Sequence, residues 1–81
     1  MIESKQALTE NFLRLASEFE VSQNPVTGID LDDAIVRLKR YALSQERNEE
    51  LAQLLHEMGR LVRSRDMDAY SDRLQRIRDM L

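Results

Sequence analysis

A single histidine, His56, is the first candidate for chemistry in this sequence. Glutamate follows it, and His-Glu opens the helix motif with which zinc proteases hold their metal, but the second histidine of that motif would fall at position 60, which is arginine. The chain has no cysteine, which excludes a thiolate zinc site, a cysteine nucleophile and a disulfide scaffold. His56 is therefore interpreted as an ordinary exposed histidine, and no metal site is predicted.

Three clustered aspartates, Asp30, Asp32 and Asp33, form a second candidate, because neighbouring carboxylates can bind calcium. A twelve-residue calcium loop counted from Asp30 would need a later glycine and a final glutamate, but its last position is Tyr41. Carboxylates at the start of a helix cap free N–H groups and interact favourably with the helix dipole. We therefore expect Asp30 to be the N-cap of a helix.

Motifs for catalysis are absent from the sequence. It contains no G-x-S-x-G nucleophile motif, no phosphate loop and no dinucleotide fingerprint. Serines, threonines and carboxylates are present, but no third group stands at a spacing that would organise them. The sequence predicts a protein that is not an enzyme and has no cofactor.

Arginine supplies ten of the twelve basic residues, and the pattern R-L-x-R occurs at 37–40, 60–63 and 73–76. Arginine makes forked contacts with carboxylates, which suits ion pairs between helices. We interpret these arginines as covering the edge of the core with their aliphatic stems while their charged groups reach water or an acid such as Glu10 or Glu18. Docking of an acidic partner protein is the alternative interpretation.

Nucleic acid is kept only as a further alternative partner. Between residues 60 and 81 six arginines alternate with four aspartates, and the whole chain has a formal net charge of −3. Binding to a phosphate backbone needs a concentrated positive field, which this alternation largely cancels. Nucleic-acid binding is therefore unfavourable.

The elements that must position these side chains are predicted to be helices, because 81 residues contain one proline and two glycines. The segment VSQNPVTG is the only strong helix breaker, and Leu8, Phe12, Leu15 and Phe19 before it follow a helical spacing. The prediction is an all-α protein, a single domain over residues 1–81. Its four helices form a small bundle and span about 4–20, 31–44, 49–63 and 67–80, with a loop at 21–30.

The two later boundaries carry no proline, so they are predicted from the direction of the apolar faces. The apolar stripe of helix 3 lies roughly half a turn from that of helix 2, and the stripe of helix 4 lies roughly 140° from that of helix 3. Asn48 and Asp66 are suitable N-caps at the two breaks. Two long helices with opposite apolar faces inside an oligomer are the alternative.

Helix 4 is predicted to bind a partner protein. Its apolar residues are spaced 3, 4, 3 and 4 apart, as in a coiled-coil seam two heptads long, and arginines flank them. The predicted partner-binding residues are Met67, Tyr70, Leu74, Ile77, Leu81, Arg73 and Arg76. The expected function is a small regulator, adaptor or chaperone-like subunit that contacts a helical, acidic partner; a homo-oligomer that uses the same seam is the alternative.

The expected location is the cytoplasm. The chain starts MIESKQALTENFL, without the basic start and apolar run of a signal peptide, and its longest unbroken apolar stretch is AIV at 34–36. That stretch is far shorter than the roughly 20 residues needed to cross a bilayer. No contact with a membrane is predicted.

Overall fold

Four α-helices joined by short turns make up the computed structural model, which describes residues 4–81. The helices are α1 Lys5–Ser22, α2 Pro25–Ser44, α3 Glu49–Ser64 and α4 Met67–Met80. Each helix packs against the next one in the chain, and α4 returns to pack against α1. Among the described residues there is no strand, and no helix is long and apolar enough to cross a membrane. The prediction of an all-α bundle of four helices is confirmed.

One hydrophobic core receives side chains from all four helices. Each helix buries one face, as expected for amphipathic helices, and the predicted stripe of α1 is buried along its whole length. The bundle measures 31 × 25 × 18 Å along its principal axes. Its largest fully buried side chains are Phe12, Phe19, Leu31, Leu38, Leu51, Leu55, Met58, Tyr70, Leu74 and Ile77.

The start of α2 corrects the prediction of a loop at 21–30. α1 continues to Ser22, and α2 begins at Pro25, six residues before the predicted start. Asn24 is the N-cap, with extended backbone at φ −70° and ψ 128°, and its Oδ1 accepts a hydrogen bond from the Val26 N–H at 2.8 Å. Proline is favoured at the first helical position, because its fixed φ suits the helix and no partner for an N–H is needed there. Asp30 lies inside α2 and is not a cap.

Gly28, predicted to lie in the loop, is buried inside α2. A Cβ atom on this residue would lie 3.2 Å from Cε2 of Phe19 and 3.7 Å from Cγ1 of Val62. Such a short contact to an aromatic ring requires the ring to move. The absence of a side chain at Gly28 therefore allows the start of α2 to approach both α1 and α3.

The three turns pass through left-handed residues that are not glycine. These are Gln23 and Arg47, both with φ 51°, and Arg65 with φ 58°. The left-handed region costs a residue with a Cβ atom about 1 kcal/mol. Packing of the helices on either side of each turn must offset this cost.

The two predicted breaks after α2 and α3 are confirmed. The Asn48 Oδ1 accepts a hydrogen bond from the Leu51 N–H at 3.1 Å, and the Asp66 Oδ1 accepts one from the Ala69 N–H at 3.3 Å. Both caps satisfy N–H groups that have no partner within their helix. The single chain therefore folds as four separate helices and not as the two long helices of the alternative.

Gly28→Val is expected to lower the free energy of unfolding by about 1–3 kcal/mol, because the new side chain must displace the Phe19 ring or separate α1 from α2. Urea unfolding followed by far-UV circular dichroism measures the change. Gly59→Ala is the matched control in α3: its Cβ would meet only side-chain ends of Arg63 and Asp32, both at 3.4 Å. Because alanine favours helix, this variant should be about 1 kcal/mol more stable than the wild type. Wild-type stability of Gly28→Val would contradict the close packing of α2 on Phe19.

Candidate functional site

The predicted partner-binding seam of α4 lies mostly in the core of the bundle itself. Tyr70 and Ile77 have no exposed surface, and Leu74 is 1% exposed. Met67 and Leu81, at the two ends of the helix, are half-buried and pack against the same core. In this fold the face predicted to bind another protein packs against α1 and α3 of its own chain.

Tyr70 joins α4 to α1 at the centre of this face. Its hydroxyl donates a hydrogen bond to the Ala16 carbonyl oxygen at 2.6 Å, and its ring lies 5.6 Å from that of Phe19, between centroids, at an interplanar angle of 54°. Burial raises the pKa of the Tyr70 phenol, the charge of Glu20 raises it further, and Arg78 opposes both. The phenol is therefore held in its neutral, hydrogen-bonding form.

Two exposed polar contacts extend the junction between α1 and α4. The Ser71 Oγ donates a hydrogen bond to Oε2 of Glu20 at 2.8 Å, and Nη2 of Arg78 donates one to Oγ of Ser17 at 3.0 Å. They lie on the surface, where water competes for the same groups, so each contributes little to stability.

Arg73 and Arg76, the predicted partner-binding arginines, form ion pairs within the chain. The Arg73 Nε lies 2.8 Å from Oε2 of Glu57 on α3, and its Nη1 lies 3.0 Å from Oδ2 of Asp72. The Arg76 Nε lies 3.5 Å from Oδ2 of the same aspartate. An acidic partner would have to compete with these carboxylates.

The arginines do pair across helices, but not with the acids that were predicted. Besides Arg73, Arg63 of α3 reaches Oδ1 of Asp32 on α2 at 3.0 Å. Glu18 instead pairs with Arg14, one turn away in α1. Ion pairs between neighbouring helices are therefore formed by α2 with α3 and by α3 with α4.

Apolar side chains left in solvent mark a different surface. Val21, Val26 and Ile29 are 88%, 66% and 70% exposed, and all three lie close to the turn between α1 and α2. We call these three residues the apolar end surface. Three large aliphatic side chains are exposed within nine residues, and exposed apolar surface of this kind can bind other molecules. Ile29 lines a groove between α2 and α3, whereas Val21 lines a separate depression beside Thr27. Leu43, 48% exposed near the other end of α2, stands apart from them.

A groove of about 330 Å³ lies beside the apolar end surface, between the start of α2 and the end of α3. We call it the α2–α3 groove. Apolar side chains form most of its wall, and charged groups stand at its rim. The residues that line it are Phe19, Pro25, Gly28, Ile29, Asp32, Val62, Arg63 and Arg65.

The rim of the α2–α3 groove has one positive charge without a counter-ion among residues 4–81. Arg63 is paired with Asp32, whereas Arg65 forms no ion pair with a described residue. Arg65 is exposed, and it is also the left-handed residue that ends α3. A carboxylate that entered the groove could therefore pair with the Arg65 guanidinium, which forms no ion pair with a described carboxylate.

Sequence reasoning missed this surface because it assigned residues 21–30 to a loop. The signal that could have found it is the pair Asn24 and Pro25, an N-cap followed by a proline that favours the first helical position. When α2 begins at Pro25, Val26 and Ile29 are three positions apart on one helix and therefore share a face.

No group of three histidine, cysteine or acidic side chains within residues 4–81 could hold a metal ion. His56 lies exposed on α3, as predicted. Comparisons with protein-family models, with curated proteins and with solved structures give no match for this chain. Its own surfaces therefore have to indicate what the protein does.

Tyr70→Phe is expected to lower the free energy of unfolding by about 1 kcal/mol, because the variant keeps the ring packed on Phe19 but loses the hydrogen bond to the Ala16 carbonyl. Urea unfolding measures the loss. Tyr41→Phe, on a half-buried residue of α2, is the control for removing a phenol hydroxyl. An unchanged midpoint for Tyr70→Phe would show that the hydrogen bond contributes no net stability.

Stability should fall at alkaline pH through Tyr70. Its folded-state pKa is raised above the unfolded value of about 10, so the stabilisation is complete below about pH 10 and is lost as the pH rises towards the folded-state pKa. Urea midpoints measured from neutral to strongly alkaline pH should fall less in Tyr70→Phe than in the wild type. Parallel curves for the two proteins would contradict the burial of the neutral phenol.

Proposed function

We propose that this protein binds another protein, as a small helical regulator, adaptor or chaperone-like subunit. The proposed binding site is the apolar end surface together with the α2–α3 groove. The observation that carries the proposal is the exposure of Val21, Val26 and Ile29 at one end of a bundle whose other large apolar side chains are mostly buried. These three residues are not needed to fill the core, so their contacts are free for a partner.

The proposed occupant is an amphipathic helix of the partner that carries apolar side chains and a carboxylate. A groove between two helices accepts the apolar face of a third, and anchors spaced by three or four residues fit such a contact. Ile29 and Val62 provide apolar wall on α2 and α3, respectively. Arg65, exposed at the rim without an ion pair among residues 4–81, supplies the complementary charge for the carboxylate.

Apolar contacts would supply most of the affinity. Full burial of an exposed valine or isoleucine side chain contributes about 1.5–3 kcal/mol before the costs of association. An exposed ion pair contributes about 1 kcal/mol or less, so Arg65 would mainly select partners and orient them. On this basis, substitution of Ile29 should weaken binding more than substitution of Arg65.

The experiment uses a synthetic amphipathic peptide of about twenty residues, with leucines at i, i+4 and i+7 and flanking glutamates. Titration into the isotope-labelled protein should shift the amide resonances of Val26, Ile29, Val62 and Arg65. Ile29→Asp should keep the far-UV circular dichroism and thermal midpoint of the wild type, because the side chain is exposed, and should remove these shifts.

Leu43→Asp is the matched control, since it places the same charge on an exposed apolar position near the other end of α2. This variant should bind the peptide like the wild type. A second peptide, with glutamine in place of glutamate, should bind the wild type more weakly than the first peptide does. The two peptides should bind Arg65→Ala with equal affinity. Absence of shifts, or shifts that persist in Ile29→Asp, would rule out this site.

A further inference from the structure

The turn between α3 and α4 is a short turn at which two helices could become continuous. It consists of Arg65 and Asp66 only, and Arg65 has φ 58°, a conformation that is unfavourable for a residue with a Cβ atom. Neither residue is glycine or proline. A short hinge under strain between two helices is the feature that favours exchange of an element between copies of a protein.

The turn between α1 and α2 has the same length but cannot open in this way. Pro25 follows it, and a proline inside a continuous helix removes a backbone hydrogen bond and clashes with the preceding turn. Asn24, directly before the proline, is also disfavoured in the helical region. Of the two turns that are two residues long, only the one before α4 can therefore become helical.

We propose that two copies of this chain exchange α4. Arg65 moves from the left-handed to the right-handed helical region, and α3 and α4 join into one helix. The α4 of each copy then packs in the bundle of the other copy. There it fills the position that α4 has in the monomer. The exchange is argued from the α3–α4 turn and does not rest on the proposed function, although it moves Arg65, which lies at the rim of the α2–α3 groove.

Geometry requires the second copy once the helices join. Residues 49–80 in one helix would be about 48 Å long, whereas the longest dimension of the bundle is 31 Å. α4 would extend beyond its own bundle, away from α1. Tyr70, Leu74 and Ile77 would then be exposed to solvent unless another copy covered them.

The contacts that hold α4 in the monomer are all available in the exchanged dimer. The hydrogen bond from Tyr70 to Ala16, the ring contact with Phe19 and the ion pair of Arg73 with Glu57 all join α4 to other helices. Each can form again between copies with the same geometry. The dimer therefore keeps these contacts and releases the left-handed Arg65, while helical hydrogen bonds at the hinge replace the N-cap hydrogen bond that Asp66 accepts from the Ala69 N–H.

Met67→Pro tests the exchange, because residue 67 is the first helical position of α4, where proline is accepted as Pro25 is in α2. A continuous helix would be broken by the same proline. Met67→Ala is the matched control, since it removes the same side chain and leaves the backbone free to become helical.

The wild type and both variants are refolded at high concentration and studied by size-exclusion chromatography with light scattering over a hundredfold dilution. We expect the wild type and Met67→Ala to form a dimer whose share rises with concentration, and Met67→Pro to lower the dimer association constant by about a hundredfold or more. Arg65→Gly, which removes the strain at the turn without touching the core, should also lower the share of dimer.

Isotope-filtered nuclear Overhauser spectra of dimers made from one labelled and one unlabelled copy identify the exchanged element. The contact between the Phe19 and Tyr70 rings should appear between copies. A wild type that stays monomeric at every concentration, or a Met67→Pro dimer as abundant as that of Met67→Ala, would overturn the proposal. Dimers in which this ring contact occurs only within one copy would overturn it as well.

Discussion

The hydrogen bond from the Tyr70 hydroxyl to the Ala16 carbonyl closes the bundle, and the other features of the fold depend on that closure. α1, α2, α3 and α4 pack in chain order, so only the contact of α4 with α1 turns a row of helices into an enclosed core. It also covers Leu74 and Ile77, which would otherwise face water. A phenylalanine could fill the same space, but only tyrosine also supplies a donor for the Ala16 carbonyl and so defines where α4 stops sliding along α1.

Much of this fold was predictable from local signals. Asn48 and Asp66 were predicted as caps, because the apolar faces on either side of each point in different directions and one straight helix cannot bury both. Pro25 was misread, since a proline after asparagine is compatible with a loop and also with the first residue of a helix. What decides between them is the packing of Gly28 against Phe19 and Val62, and contacts between distant residues are not visible in a local pattern.

Periodicity likewise located the apolar face of α4 without indicating what covers it. The spacing of Tyr70, Leu74 and Ile77 is the same whether the helix packs on its own chain or on another protein, so the seam was assigned to a partner although the bundle covers it. The exposure of Val26 and Ile29 was not predictable either, because the sequence around two aliphatic residues near the start of a helix does not indicate whether they are buried. Burial is a property of the assembled helices and could not be derived from the order of the residues.

The packing of each helix on its neighbour in the chain has a consequence for how quickly the protein reaches its native state. Contacts between consecutive helices close short stretches of chain, and proteins dominated by such local contacts fold in microseconds to milliseconds. The pairing of Tyr70 with Ala16 is different, since 54 positions separate the two residues and a much longer stretch must be closed. The contacts between consecutive helices, including that of α3 with α4, are therefore expected to form before the contact of α4 with α1 closes the bundle.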